Sequence, residues 1–109
     1  MVNRKKIDLE PGLYFVATPI GHARDITLRA IDILESADVL AAEDTRSLRR
    51  LLDIHAIATH KRPIIAYHDH SKEAARKRIM ALLREGKSVA YMSEAGTPLI
   101  ADPGFQLTQ

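Results

Sequence analysis

The sequence predicts an α/β domain of three layers, a parallel sheet with helices on both faces. Two observations carry this. Short runs that are apolar at every position alternate along the chain with segments that are apolar only at every third or fourth residue. A strand apolar throughout has both faces covered, which is how strands between two helix layers read. In addition, each apolar run gives way to a loop of small and polar residues, as strand-to-helix connections do.

The elements follow in order. Residues 13–17 (LYFVA) are aromatic and β-branched, and Thr18-Pro19 stop them, so they form strand one. Asp25 is expected to cap the first helix, whose apolar positions Ile26, Ala30, Ile33 and Leu34 keep the 3.6-residue period. Residues 39–42 (VLAA) are strand two, cut off by Glu43-Asp44. The second helix carries Leu48, Leu51 and Leu52 on one face and arginines on the other. Residues 63–67 (PIIAY) are strand three, with proline at the first position, where no ladder hydrogen bond is lost. Ser71 opens the third helix, striped by Ala75, Ile79, Leu82 and Leu83, and Gly86 sits where a left-handed C-cap belongs. Residues 89–92 are strand four. Asp102-Pro103 has the form of a helix start close to the last residue, so the chain is expected to be a fragment.

Composition bounds the function. The 109 residues suffice for one domain with a modest core, and a hydrophobic share of 46% is that of a globular chain. The absence of cysteine excludes disulfides and thiolate metal sites and suits a reducing compartment, so a cytoplasmic location is expected. No apolar run reaches membrane-spanning length, and no membrane partner is expected. Residues 1–11 are basic at first but lack the apolar stretch of a secretory signal, and are expected to be a mobile lead-in to a domain over 12–109. The net charge of +2 is slight, but cations gather twice: Arg46, Arg49, Arg50, Lys61 and Arg62, then Lys72, Arg76, Lys77, Arg78 and Arg84. Either group could be a solvated helix face or a surface for a polyanion.

Ligands of open parallel sheets bind beyond the carboxyl ends of the strands, so the four loops that leave those ends form an inventory. They are Thr18-Pro19-Ile20-Gly21-His22, Glu43-Asp44-Thr45-Arg46, His68-Asp69-His70 and the long SEAGTPLIADPG stretch from Ser93. The first could be a turn alone or a place of close ligand approach. Glu43-Asp44 could be a helix cap with its neighbour. His68 and His70 would share a side if strand three continued, but two histidines with no third ligand do not make a metal site, and none is expected. Neither GxGxxG nor GxxxxGK[ST] occurs, so dinucleotide and P-loop binding lack support. The last loop is longer than a turn requires. Gly96 permits close backbone approach and Pro98 and Pro103 stiffen it, which suits a flat ligand gripped by main-chain groups.

The ordered set TPIGH, DITLRA, AAEDTR, YHDH and SEAGTPLIADPG resembles the tetrapyrrole (corrin/porphyrin) methylase superfamily, and within it the branch that methylates small-subunit ribosomal RNA. The resemblance runs from about Gly12 to Gln109. It implies an S-adenosylmethionine-dependent transferase acting on the ribose 2′-hydroxyl of a cytidine, built from two domains and working as a homodimer. This chain would be the N-terminal domain, with sheet order 3-2-4-1-5 and an end before the fifth strand, inactive by itself. The resemblance places Pro19, Gly21, Ser93, Glu94, Ala95, Gly96, Thr97 and Pro98 on the methyl-donor side. The catalytic base stays open among Glu43, Asp44, His68 and Asp69, and Arg46, Arg49 and Arg50 are the expected RNA contacts. Three positions depart from the usual family pattern: Glu94 for aspartate, His22 for asparagine and Ser47 for histidine. A corrin or porphyrin methylase of the same fold and a non-catalytic nucleotide-binding domain are the alternative functions.

Overall fold

The computed structural model describes residues 8–18, 26–68 and 72–94. Seven elements alternate along it: β1 (Gly12–Thr18), α1 (Leu28–Ser36), β2 (Val39–Ala42), α2 (Thr45–Ile54), β3 (Ile64–Ala66), α3 (Lys72–Arg84) and β4 (Ser88–Glu94). All strand pairs are parallel and the sheet order is β1-β4-β2-β3. Read from the other edge this is 3-2-4-1, the expected order as far as four strands can show it.

The strands are apolar throughout because each face of the sheet has its own helix layer. Along β2, Leu40 and Ala42 join Leu34 of α1 and Leu48, Leu51 and Leu52 of α2 in one core cluster. Val39 and Ala41, pointing the other way, join Ala75 and Ile79 of α3, with Val89 and Tyr91 of β4, in a second. Alternation of side chains along a strand thus divides one apolar run between two cores. Each fully buried leucine, isoleucine or valine here contributes roughly 1.5–3 kcal/mol over its exposed state. With one helix against two on the other side, the second core thins out toward β1. There Phe15 is 41% exposed and meets Tyr91 edge-on, with ring centroids 6.2 Å apart.

Two of the sequence expectations are corrected here. The N-cap of α1 is Thr27, not Asp25: the Thr27 hydroxyl oxygen accepts from the Ala30 amide at 3.1 Å. Asp25 itself lies outside the described residues. Ile26 consequently precedes the helix, and it is buried in the same core as Ile31, the pairing of a hydrophobic staple. Thr27 lies two positions after Asp25, and the buried Ile26 just ahead of it fixes the entry of the chain into the helix. Strand three is also shorter than expected, Ile64–Ala66, although its flanks still serve the ladder: Pro63 O accepts from Leu40 N and Tyr67 N donates to Ala42 O.

The ends of α2 and α3 share one solution. After α3, Gly86 N donates to Leu83 O and Lys87 N to Leu82 O, with Gly86 at φ 85°. After α2, Ala56 N donates to Asp53 O and Ile57 N to Leu52 O, with Ala56 at φ 54°. Both are Schellman motifs, one closed by glycine and the other by an alanine held in the left-handed region.

The amino ends of the strands are tied by side chains. The Ser88 amide and hydroxyl both donate to Asp38 Oδ2, at 3.0 and 3.1 Å, and Asp38 N donates back to Ser88 Oγ. Arg62 closes the same edge. Its Nη1 donates to the carbonyls of Leu34 and Ala37, its Nη2 to Ala58 O, and its Nε to Thr59 O. Arg62 was grouped in sequence with the arginines of α2 as a candidate polyanion contact. Its donors are instead spent on the last carbonyls of α1 and on the α2–β3 loop, at the edge opposite the strand carboxyl ends. Desolvation pulls its guanidinium below the usual arginine range, while the carboxylates of Glu35 and Asp38 act the other way.

Candidate functional site

Register brings three strand ends together. Ala42 pairs with Ala66 on one side and Met92 on the other, and Ala17 pairs with Ser93. Glu43, Tyr67 and Ser93 are therefore the next residues out along β2, β3 and β4. Small residues stand at or next to the ends of the strands: Ala42 and Ala66 are the last of β2 and β3, and Ala17 and Ser93 the last but one of β1 and β4. Thr18, buried at the end of β1, donates from its hydroxyl to Ser93 O at a long 3.5 Å. β4 lies in the middle of the sheet, and the long loop leaves from its end.

The helix that follows β2 begins at this edge, and Asp44 is its cap. Asp44 Oδ1 accepts from the amides of Arg46 and Ser47 at 3.0 and 3.2 Å, and Oδ2 accepts from the Ser47 hydroxyl at 3.0 Å. These bonds from Ser47, with help from Arg46, hold the Asp44 carboxyl below the usual carboxylate range. A carboxylate so engaged is a weak proton acceptor. Glu43, one residue earlier, is exposed at the same edge. Of the four candidates that the sequence left open, Asp44 is thus engaged in the helix start, whereas Glu43 is an exposed carboxylate.

Tyr67 was read as the last residue of a strand and stands one position beyond β3, in the core beneath α3. It is fully buried, stacks edge-on against Tyr91 with ring centroids 5.8 Å apart, and burial pushes its hydroxyl pKa up, opposed by Arg76 and Lys72. Its hydroxyl has no hydrogen-bond partner among the described residues. A tyrosine closing an apolar run was the available signal, and the register sets it level with Glu43 and Ser93.

His68 is exposed just beyond Tyr67. Asp69, Pro19, Gly21 and the loop residues Ala95, Gly96, Thr97 and Pro98 lie outside the described residues, and for Glu94 only the backbone is described. Among the described residues no group of three or more His, Cys, Asp or Glu could hold a metal ion. Nor is any helix among them long and apolar enough to cross a membrane. Arg46, Arg49 and Arg50 are exposed on α2, opposite its buried Leu48, Leu51 and Leu52.

An open sheet whose strands are all parallel, with helices on both faces, defines an α/β domain of the class in which ligands bind beyond the carboxyl ends of the strands. The chain belongs to the tetrapyrrole (corrin/porphyrin) methylase family, whose model matches residues 12–109. It is similar to proteins named "Ribosomal RNA small subunit methyltransferase I". The one from Mesorhizobium japonicum is 52% identical over 91% of this chain and 33% of its own length. Those from Bacillus subtilis and Halalkalibacterium halodurans are 45% and 50% identical, over 89% and 87% of this chain and 32% of their own lengths. The chain thus spans about a third of the curated relatives that it matches.

Proposed function

We propose that this chain forms the N-terminal domain, over residues 12–109, of an S-adenosylmethionine-dependent methyltransferase acting on the ribose 2′-hydroxyl of a cytidine in small-subunit ribosomal RNA, working as a homodimer in the cytoplasm. The observation that supports the reading is the strand-end edge, where small residues lie at or next to the ends of β1, β4 and β2 beside the exposed carboxylate of Glu43, in a chain whose relatives bear the ribosomal RNA methyltransferase name. The bound donor supplies an activated methyl group on sulfur, so the protein is left with alignment, exclusion of water and one proton.

Those tasks fall to residues of this chain. Small residues near the strand ends, Ala17 and Ser93 on one face and Ala42 and Ala66 on the other, leave room for a flat ligand at the edge, a role shared in this reading with Pro19, Gly21 and the run from Glu94 to Pro98. A ribose hydroxyl is a poor acid, and an acceptor beside it lowers the barrier to its attack. Glu43 takes the proton or the hydrogen bond, since Asp44 is committed to capping α2. Arg46, Arg49 and Arg50 hold phosphates beside the edge and contribute position, not sequence reading.

The test is transfer of labelled methyl from S-adenosylmethionine by the protein carrying these residues, offered unmodified small-subunit ribosomal RNA and, separately, corrin and porphyrin substrates. Label recovered as 2′-O-methylcytidine is the expected result. Label on a macrocycle, or on neither, overturns the proposal.

A further inference from the structure

The most basic part of the chain is α3 and the turn after it, on the side of the sheet away from α2. Residues 72–87 carry six cations, Lys72, Arg76, Lys77, Arg78, Arg84 and Lys87, against Glu73 and Glu85. That excess of four charges is twice the formal +2 of the whole chain. The remainder of the protein is therefore net acidic.

An ordinary solvated helix intersperses charges of both signs three or four residues apart. On α3 this is not so. Arg78 has Ala74, Ala75, Ala81 and Leu82 at those spacings, and Arg84 has Met80, Ala81, Lys87 and Ser88. Lys77 has Glu73 four residues back, but that carboxylate is held by Arg76 Nη2 at 3.0 Å. Lys77, Arg78 and Arg84 are exposed, and no ion pair joins them to another side chain among the described residues. By contrast, Arg49 and Arg50 of α2 have Asp53 within helical reach.

The placement is equally specific. Ala75 and Ile79 face the core, so Lys77, Arg78 and Arg84 stand on the solvent side, with only Ala74 and Ala81 between them. Small residues between cations leave a smooth face that an extended backbone can approach. α3 has 13 residues, about 20 Å of length, and its amino end starts from the same sheet edge as the candidate site. The face has little apolar surface, which disfavours a membrane or a hydrophobic protein partner.

We infer that the solvent face of α3, through Lys77, Arg78 and Arg84, is a second docking surface for the phosphate backbone of RNA, carrying the strand away from the site on the side opposite α2. This rests on the reading of the protein as an RNA methyltransferase. The experiment measures binding of a small-subunit ribosomal RNA fragment across a salt series by the protein carrying these residues. It compares wild type with Lys77→Ala/Arg78→Ala/Arg84→Ala and with the charge-conserving Lys77→Arg/Arg78→Lys/Arg84→Lys. Alanine is the best helix former, so circular dichroism should show α3 intact in both variants.

The expected result is a log-log salt slope shallower by about two units in the alanine variant, as for three lost contacts to a single strand, with weaker binding at every salt concentration. The charge-conserving variant keeps the wild-type slope. An alanine variant with unchanged slope and affinity, beside a wild type that binds, overturns the α3 surface and leaves the methyltransferase reading standing. A wild type that fails to bind RNA, or that binds anionic vesicles in its place, overturns both.

Discussion

Arg62 donates to the carbonyl oxygen of Leu34, 28 residues earlier in the chain, at 2.6 Å. The same side chain reaches Ala37, Ala58 and Thr59, so a single guanidinium satisfies the open end of α1 and fixes the α2–β3 loop upon it. Helix ends leave carbonyls without partners, and a planar fork of donors is well matched to several of them at once.

Removal of this fork should be expensive. Arg62→Ala leaves several partly buried carbonyls unsatisfied and is expected to cost about 2–4 kcal/mol, read as a lower urea midpoint with an unchanged slope. Arg62→Lys keeps the charge but not the geometry and should recover less than half of the loss. Full recovery by lysine would show that charge near Glu35 and Asp38 is what matters.

The two Schellman motifs make an internal comparison. Ala56 occupies at φ 54° the position that Gly86 occupies at φ 85° after α3. An alanine in the left-handed region costs on the order of 1 kcal/mol, part of which glycine gives back through its greater freedom in the unfolded chain. Ala56→Gly is therefore expected to stabilise the protein by up to ~1 kcal/mol, and Gly86→Ala to destabilise it by a similar amount. Loss of stability in Ala56→Gly would mean that the alanine methyl contributes packing that outweighs its strain.

Much of the fold is legible in the sequence because parallel strands between helices leave a strong mark. Val39 to Ala42 had to be buried on both sides, and Asp44 had to cap whatever followed. What escapes is set by distances the chain cannot show. Arg62 reads as one more surface cation because nothing local places it beside the end of α1. Asp25 was the expected cap of α1, and only the packing of Ile26 in the core shows why the helix starts later, at Thr27. At the candidate site the sequence leaves Glu43 and Asp44 equivalent; the hydrogen bonds of Arg46 and Ser47 to Asp44 separate them.

That separation has a consequence for pH and for rate. The folded pKa of Asp44 lies below its ordinary value of 3.8, so its stabilising contribution is fully present above that value and is lost as pH falls through the lower, folded one. Asp44→Asn keeps most of the capping, costs well under about 1 kcal/mol near neutrality, and should flatten the acid side of the stability profile. Its methyl-transfer rate should stay near that of wild type. Glu43→Gln should do the reverse, leaving stability unchanged while lowering kcat by roughly 10²–10⁴ with little change in KM. A rate lost in Asp44→Asn and kept in Glu43→Gln would exchange the two roles.

The most direct measurement is the location of the methyl donor on the protein. Backbone amide resonances of the protein carrying these residues should be followed by NMR as S-adenosylmethionine is added to saturation. The expected shifts fall at the carboxyl ends of the strands, on Thr18, Glu43, His68, Ser93 and Glu94, while Asp38, Arg62 and Ser88 at the opposite edge stay unmoved. Shifts confined to that opposite edge, or none at saturating donor, would contradict the assignment of the strand-end edge as the methyl-donor site.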